Sequence, residues 1–242
     1  MVLEVLPVCF YYLLCNIGSK MEAHPGLAER RTAAAWRIAF VVLCVLIAEW
    51  AFPPLFGHHP WTFNVPIVVI LAFGFLTHRA LDERAPELGL RLDNFLHAAR
   101  LLAPPLFFII VVLVFIGYWM GSLGMPRLSA DWRRLQTFLW LLWWGLLQQY
   151  ALQAIINRQA QIIWGKGVRS LFAVALIFAA LHLPNLPLVL ATFVGGCVWA
   201  SVYQRAPNLL ALALSHCVMS MMLIWTLPPS ILHGMRVGAG YH

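Results

Sequence analysis

The sequence predicts an all-α, polytopic transmembrane helical bundle of about seven or eight spans, and three observations predict it. Of 242 residues, 62% are hydrophobic and only 10% are charged, against about 25% charged in a soluble domain; mean hydropathy is +0.81. The apolar residues come in blocks of roughly 16 to 24, the length a helix needs to cross a hydrocarbon core of about 30 Å. The alternating segments of about ten residues that build a closed barrel are absent. Helices therefore satisfy the backbone inside lipid.

In order, the blocks are Ala35–Leu55, Trp61–Thr77, Leu101–Gly121, Leu135–Asn157, Ser170–Leu183, Pro187–Tyr203 and Asn208–Leu227. Val2–Ile17 is ambiguous: it is short and carries Glu4, so it reads as an eighth span, an interfacial helix, or an extension upstream of a start at Met21. It lacks the basic region and small-residue cleavage site of a secretory signal. The segment Thr77–Arg100, of mixed charge, reads as an amphipathic helix or hairpin at the headgroups. Gly121–Arg134 ends in Asp131-Trp132-Arg133-Arg134, an interfacial anchor before the next span. The organisation is thus N-terminal helices over 1–134, core helices over 135–227 and a C-terminal tail over 228–242.

The formal charge of +7 reports topology, not a nucleic-acid partner. With these boundaries, Lys20, Arg30, Arg31, Arg37, Arg79, Arg84, Arg91, Arg100, Arg158, Lys166, Arg169 and Arg205 share one side of the membrane. Only Arg127, Arg133, Arg134 and Arg236 lie on the other. That asymmetry is a positive-inside signal and assigns the first set to the cytoplasm of a bacterial-type cell membrane. The expected partners are membrane lipids and a membrane-proximal peptide or protein. Five cysteines (Cys9, Cys15, Cys44, Cys197, Cys217) all lie in apolar segments without CxxC spacing and read as small buried hydrophobes.

Polar side chains in hydrocarbon cost free energy, so their positions carry the functional signal. Three blocks hold them at matched depth: Gln148, Gln149 and Gln153; His182 with Asn185; and His216 with Ser220. Counted from Arg158, Arg169 and Arg205 at about 1.5 Å per residue, Gln148, His182 and His216 lie roughly 15, 20 and 16 Å deep. Gln149 and Gln153 share a helix face, as do His216 and Ser220, while Gln148 points about 100° from Gln149. Taken singly, each residue reads as interhelical hydrogen-bond glue; the shared depth favours one interior pocket. Glu49, before Trp50 and Pro53-Pro54, reads as an interfacial carboxylate, with a place in the pocket as the lesser alternative.

The runs Gln148-Gln149-Tyr-Ala-Leu-Gln153, Phe178-Ala-Ala-Leu-His182-Leu-Pro-Asn185, Tyr203-Gln-Arg205-Ala-Pro-Asn208 and His216-Cys-Val-Met-Ser220 together resemble the CPBP family. That family comprises the CAAX prenyl endopeptidases and the bacteriocin-processing, abortive-infection type intramembrane proteases. Its pattern is EExxxR, then FxxxH, then HxxxN or HxxxD on successive core helices. The small residues Gly195, Gly196 and Ala200 resemble the family's closely packed helix. The resemblance covers about Leu135–Leu227 and implies an intramembrane endopeptidase. Its implied catalytic set is Gln148, Gln149, His182, His216 and Ser220, with Gln153, Phe178 and Asn185 holding substrate, and with no cofactor.

The departures from the pattern are coordinated. Gln148 and Gln149 stand at the two glutamate positions, Gln153 at the arginine and Ser220 at the Asn or Asp. A carboxamide accepts no proton at physiological pH, so Gln148 is no general base, and a term of about 10²–10⁴-fold is removed. Histidine and amide N–H groups remain as oxyanion donors, and an imidazole is a candidate replacement base. Two histidines and two amides make a poor zinc site, and no metal is expected. The sequence thus carries three readings: an endopeptidase with impaired activity, a hydrolytically silent relative that binds a peptide or protein, and a small transporter subunit. The last lacks broken-helix repeats and paired intramembrane charges.

Overall fold

A computed structural model describes residues 26–57, 59–123 and 132–241, and every regular element in it is helical. The block Val2–Ile17 and the Asp131–Arg134 side chains fall outside the described residues. Helix α1 (Leu27–Phe56) passes through a π turn at Ile47–Ala51. It is followed by α2 (Pro60–Ala80) and α3 (Phe95–Trp119). Next, α4 (Trp132–Gln149) runs without a break into a π-helical segment (Tyr150–Asn157) and then α5 (Arg158–Trp164). The bundle is completed by α6 (Val168–Ala180), α7 (Leu186–Arg205), α8 (Leu209–Thr226) and the short α9 (Pro229–Leu232).

Among the described residues, four helices are long and apolar enough to cross a membrane by length and composition: α1, α3, α7 and α8. The blocks in α2 and α6 form shorter apolar helices. The outward faces confirm lipid as the surrounding solvent. Phe107, Phe108, Phe115, Leu186 and Leu190 are each about two-thirds exposed, a surface that water would penalise.

Local chemistry sets the helix ends. Asn185 and Asn208 cap α7 and α8, their side-chain oxygens accepting from Leu188 and Ala211 N–H groups, a preferred use of Asn at an N-cap. Positive-φ Gly165 and Gly167 break the rod between α5 and α6. Pro104 and Pro105 sit inside α3, where each removes one backbone N–H donor from the helix. The closest pairings are α6 with α7, α8 with α4 and α3, and α1 with α5. At the first of these, a Cβ on Gly196 would stand 3.0 Å from Ala175 Cα; the small residue is what lets the two backbones meet.

The connection after α2 differs from expectation. Residues 81–94 form turns, not an amphipathic helix or hairpin. Pro86 disfavours helix at Ala85, and Gly89 has φ +87°. The loop folds inward: Leu88 is buried, Leu209 N–H donates to Gly89 O at 2.9 Å, and Asn208 Nδ2 donates to Arg91 O and Asn94 Oδ1. Glu83, from this loop, accepts from Arg158 Nε at 2.7 Å and stands 2.7 Å from His78 Nδ1. Burial pushes this carboxyl up, but the hydrogen bonds from His78 and Arg158 outweigh it and hold Glu83 below its ordinary range. The tail is also ordered. Gly238 N–H donates to Leu183 O, and the turn Gly238–Tyr241 packs on the π turn of α1.

Candidate active site

A half-open cavity of about 1350 Å³ with a mostly aliphatic and aromatic wall lies between the helices. Its polar wall includes Gln148 from α4, His182 beyond α6, His216 and Ser220 from α8, and Phe178 lies between the two histidines. The α4–α8 approach that gathers them depends on a glycine: a Cβ on Gly145 would lie 3.2 Å from Ala213 O and 3.5 Å from His216 Cβ. One turn later on α4, Gln149 meets His216, with Nε2 3.2 Å from Nδ1.

The contact at His182 assigns its tautomer. A carbonyl only accepts, so His182 Nδ1, 2.7 Å from Phe178 O, carries its proton there, and Nε2 of the neutral ring is the acceptor. His216 Nδ1 lies against the Gln149 amide; where that amide presents its N–H, Nδ1 accepts and Nε2 carries the proton. In that arrangement one ring offers an acceptor and the other a donor. Aromatic packing fixes both planes. Trp199 stacks on His216 with centroids 4.6 Å apart and 9° between planes, while Phe178 meets His182 edge-on at 4.7 Å. Trp199 is itself anchored by Nε1–H donating to Ser215 Oγ at 2.9 Å.

The sequence-derived residues divide into two groups. Gln148, His182, His216, Ser220 and Phe178 line the cavity, and Gln149 stands behind His216. Gln153 is buried elsewhere. Its Oε1 accepts from Asn157 Nδ2 at 2.7 Å, in a network that continues through Gln204 to Ser170. Asn185 spends its side chain on the Leu188 N–H and on the carbonyls of Leu232 and Arg236, so it clasps the tail to α7. Glu49, half-buried near the outer end of α1, lines the same cavity, as the lesser of its two readings allowed. Trp199 was missed; a lone tryptophan in the apolar block Pro187–Tyr203 gives no signal that it stacks on a histidine of another helix.

Chemically, the arrangement offers a donor at His216, an acceptor at His182, the Ser220 hydroxyl and a buried Gln148 Oε1 with no protein partner. Among the described residues no group of three His, Cys, Asp or Glu side chains gathers to hold a metal ion. The set suits binding and polarising a carbonyl and a water inside an apolar chamber.

The fold defines an integral membrane protein with a helical core. The family model of type II CAAX prenyl endopeptidase, Rce1-like proteins matches residues 141–222, about a third of the chain. That stretch runs from mid-α4 into α8 and contains every polar residue gathered at the histidine pair, in agreement with the CPBP resemblance. No curated protein and no solved structure matches the chain.

Proposed function

We propose that this chain is an endopeptidase of the membrane interior, hydrolysing a peptide bond in a membrane-proximal peptide, prenylated or leader-type, held in the cavity. The observation that carries the reading is the complementary pair His182 and His216 on one cavity wall, inside the Rce1-like stretch. The apolar walls suit the substrate's hydrophobic part, and the polar wall suits its scissile amide. The basic loops would face the cytoplasm, the side from which the peptide enters. Cleavage by protein reconstituted in liposomes, followed by mass spectrometry on a panel of membrane peptides, tests this. Wild type is expected to cleave slowly, and His182→Ala to fall by about 10²-fold or more. Cleavage unchanged in His182→Ala would sink the assignment.

A second reading, a hydrolytically silent relative that binds the same peptide, is favoured by the amides at Gln148, Gln149 and Gln153. Under it, Gln148→Glu with Gln149→Glu creates proteolysis that the wild type lacks, and the bound peptide survives intact on the wild type.

A further inference from the structure

The carboxylate that the glutamine pair lacks is present on another part of the cavity wall. Glu49 reaches the cavity from the π turn of α1. Its depth follows from a contact at the basic end, where Arg37 Nη1 donates to Gln159 Oε1 at 3.2 Å and ties α1 to α5. From that tie, Glu49 lies twelve residues along α1, and Gln148 eleven residues back along the α5–α4 rod. Both therefore stand about 16–18 Å from one shared level.

A second contact brings Glu49 toward the histidines. Gly238 packs on the Glu49 backbone and near its Cβ, and the same glycine's N–H donates to Leu183 O at 2.9 Å. Leu183 is the neighbour of His182, so one tail residue bridges the two sides. Glu49 itself has no hydrogen-bond or ion-pair partner among the described residues. A carboxyl group held inside a membrane bundle without a partner is costly, and such positions mark function.

We infer that Glu49 is the acid–base group of this cavity, supplying the proton transfer that Gln148 and Gln149 cannot perform; the inference rests on the peptidase reading above. The ionised Glu49 carboxylate takes one proton from a water whose other proton is held by His182 Nε2. The water oxygen bonds to the peptide carbonyl carbon, and the carbonyl π pair moves to oxygen, where His216 Nε2–H donates to the oxyanion. On collapse the C–N bond breaks with its electron pair leaving on nitrogen. The protonated Glu49 returns its proton to that nitrogen. One water is consumed, an acid and an amine are formed, and Glu49 ends as it began.

The test uses the full chain in liposomes, a membrane peptide cleaved by wild type, the affinity for that peptide measured separately, and the thermal midpoint. Glu49→Gln, which keeps size and shape, is expected to cut turnover by about 10²–10⁴-fold, leaving peptide affinity and midpoint near wild type. Adding Gln148→Glu to Glu49→Gln is expected to recover turnover from the neighbouring wall. Turnover of Glu49→Gln within about threefold of wild type would overturn the inference while leaving the peptidase reading intact. So would a loss of turnover that tracks a fall in midpoint and affinity, since that describes a structural role. A wild type inert on every peptide would overturn both.

Discussion

At the basic end of the bundle, many polar groups from different elements pair with one another. Arg158 and His78 pair with Glu83, Asn157 joins Gln153 to Gln204, and Asn208 holds the loop after α2 through two donated hydrogen bonds. At mid-depth the reverse holds. Glu49 has no ion partner, and the Oε1 atoms of Gln148 and Gln149 lack protein partners around a cavity. The first region also keeps unpaired buried atoms, at Thr77 Oγ1, His78 Nε2, Gln153 Nε2 and Gln159 Nε2, but its largely buried carboxylate, Glu83, is paired with both Arg158 and His78. The difference separates groups that hold the fold from groups held ready for something else.

The sharpest way to break this contrast is to unpair the first region. Glu83→Ala leaves Arg158 and His78 without their carboxylate and is expected to cost about 3–5 kcal/mol, read from denaturant unfolding in detergent. The pH dependence follows in sign. Because the folded Glu83 carboxyl lies below its ordinary 4.5, its contribution is complete above that value and is lost as pH falls through the lower folded value. Glu83→Gln should flatten that acid-side slope. A smaller effect is expected at Asn208→Ala, where loss of the α8 cap costs about 1–2 kcal/mol in the same assay. The smallest belongs to the cavity. Gln148→Leu removes an amide whose buried oxygen has no partner, so stability should stay within about 0.5 kcal/mol of wild type or rise. A loss as large as that of Glu83→Ala would erase the distinction between the regions.

Much of this was legible in the sequence because membrane chemistry simplifies it. Apolar block length located the described helices, and counting residues from basic loops placed Gln148, His182 and His216 at one depth. Their meeting around Phe178 needed no more than helices at matched depth. Glu49 was read as interfacial from its place near the outer end of Ala35–Leu55. The fold ends α1 one residue further, at Phe56, and what the sequence could not show is the tail docked beside Glu49 and the cavity it lines there. The loop after α2 was misjudged for a different reason. Its mixed charge suggested an amphipathic helix, yet one of those charges, Glu83, pairs with Arg158 of α5, a long-range partner invisible to local periodicity. Asn185 has the same character: its position in the motif suggested substrate, while its bonds go to the α7 cap and the tail.

The claim on which the rest depends is that a peptide occupies the chamber shared by Gln148, His182, His216 and Ser220. Affinity of the liposome-reconstituted protein for a membrane-proximal peptide, compared between wild type and Ser220→Phe, tests it without requiring hydrolysis. An aromatic ring projecting from α8 into the chamber should weaken binding at least tenfold, about 1.4 kcal/mol, with the thermal midpoint little changed. Unaltered affinity in a folded Ser220→Phe protein would contradict it.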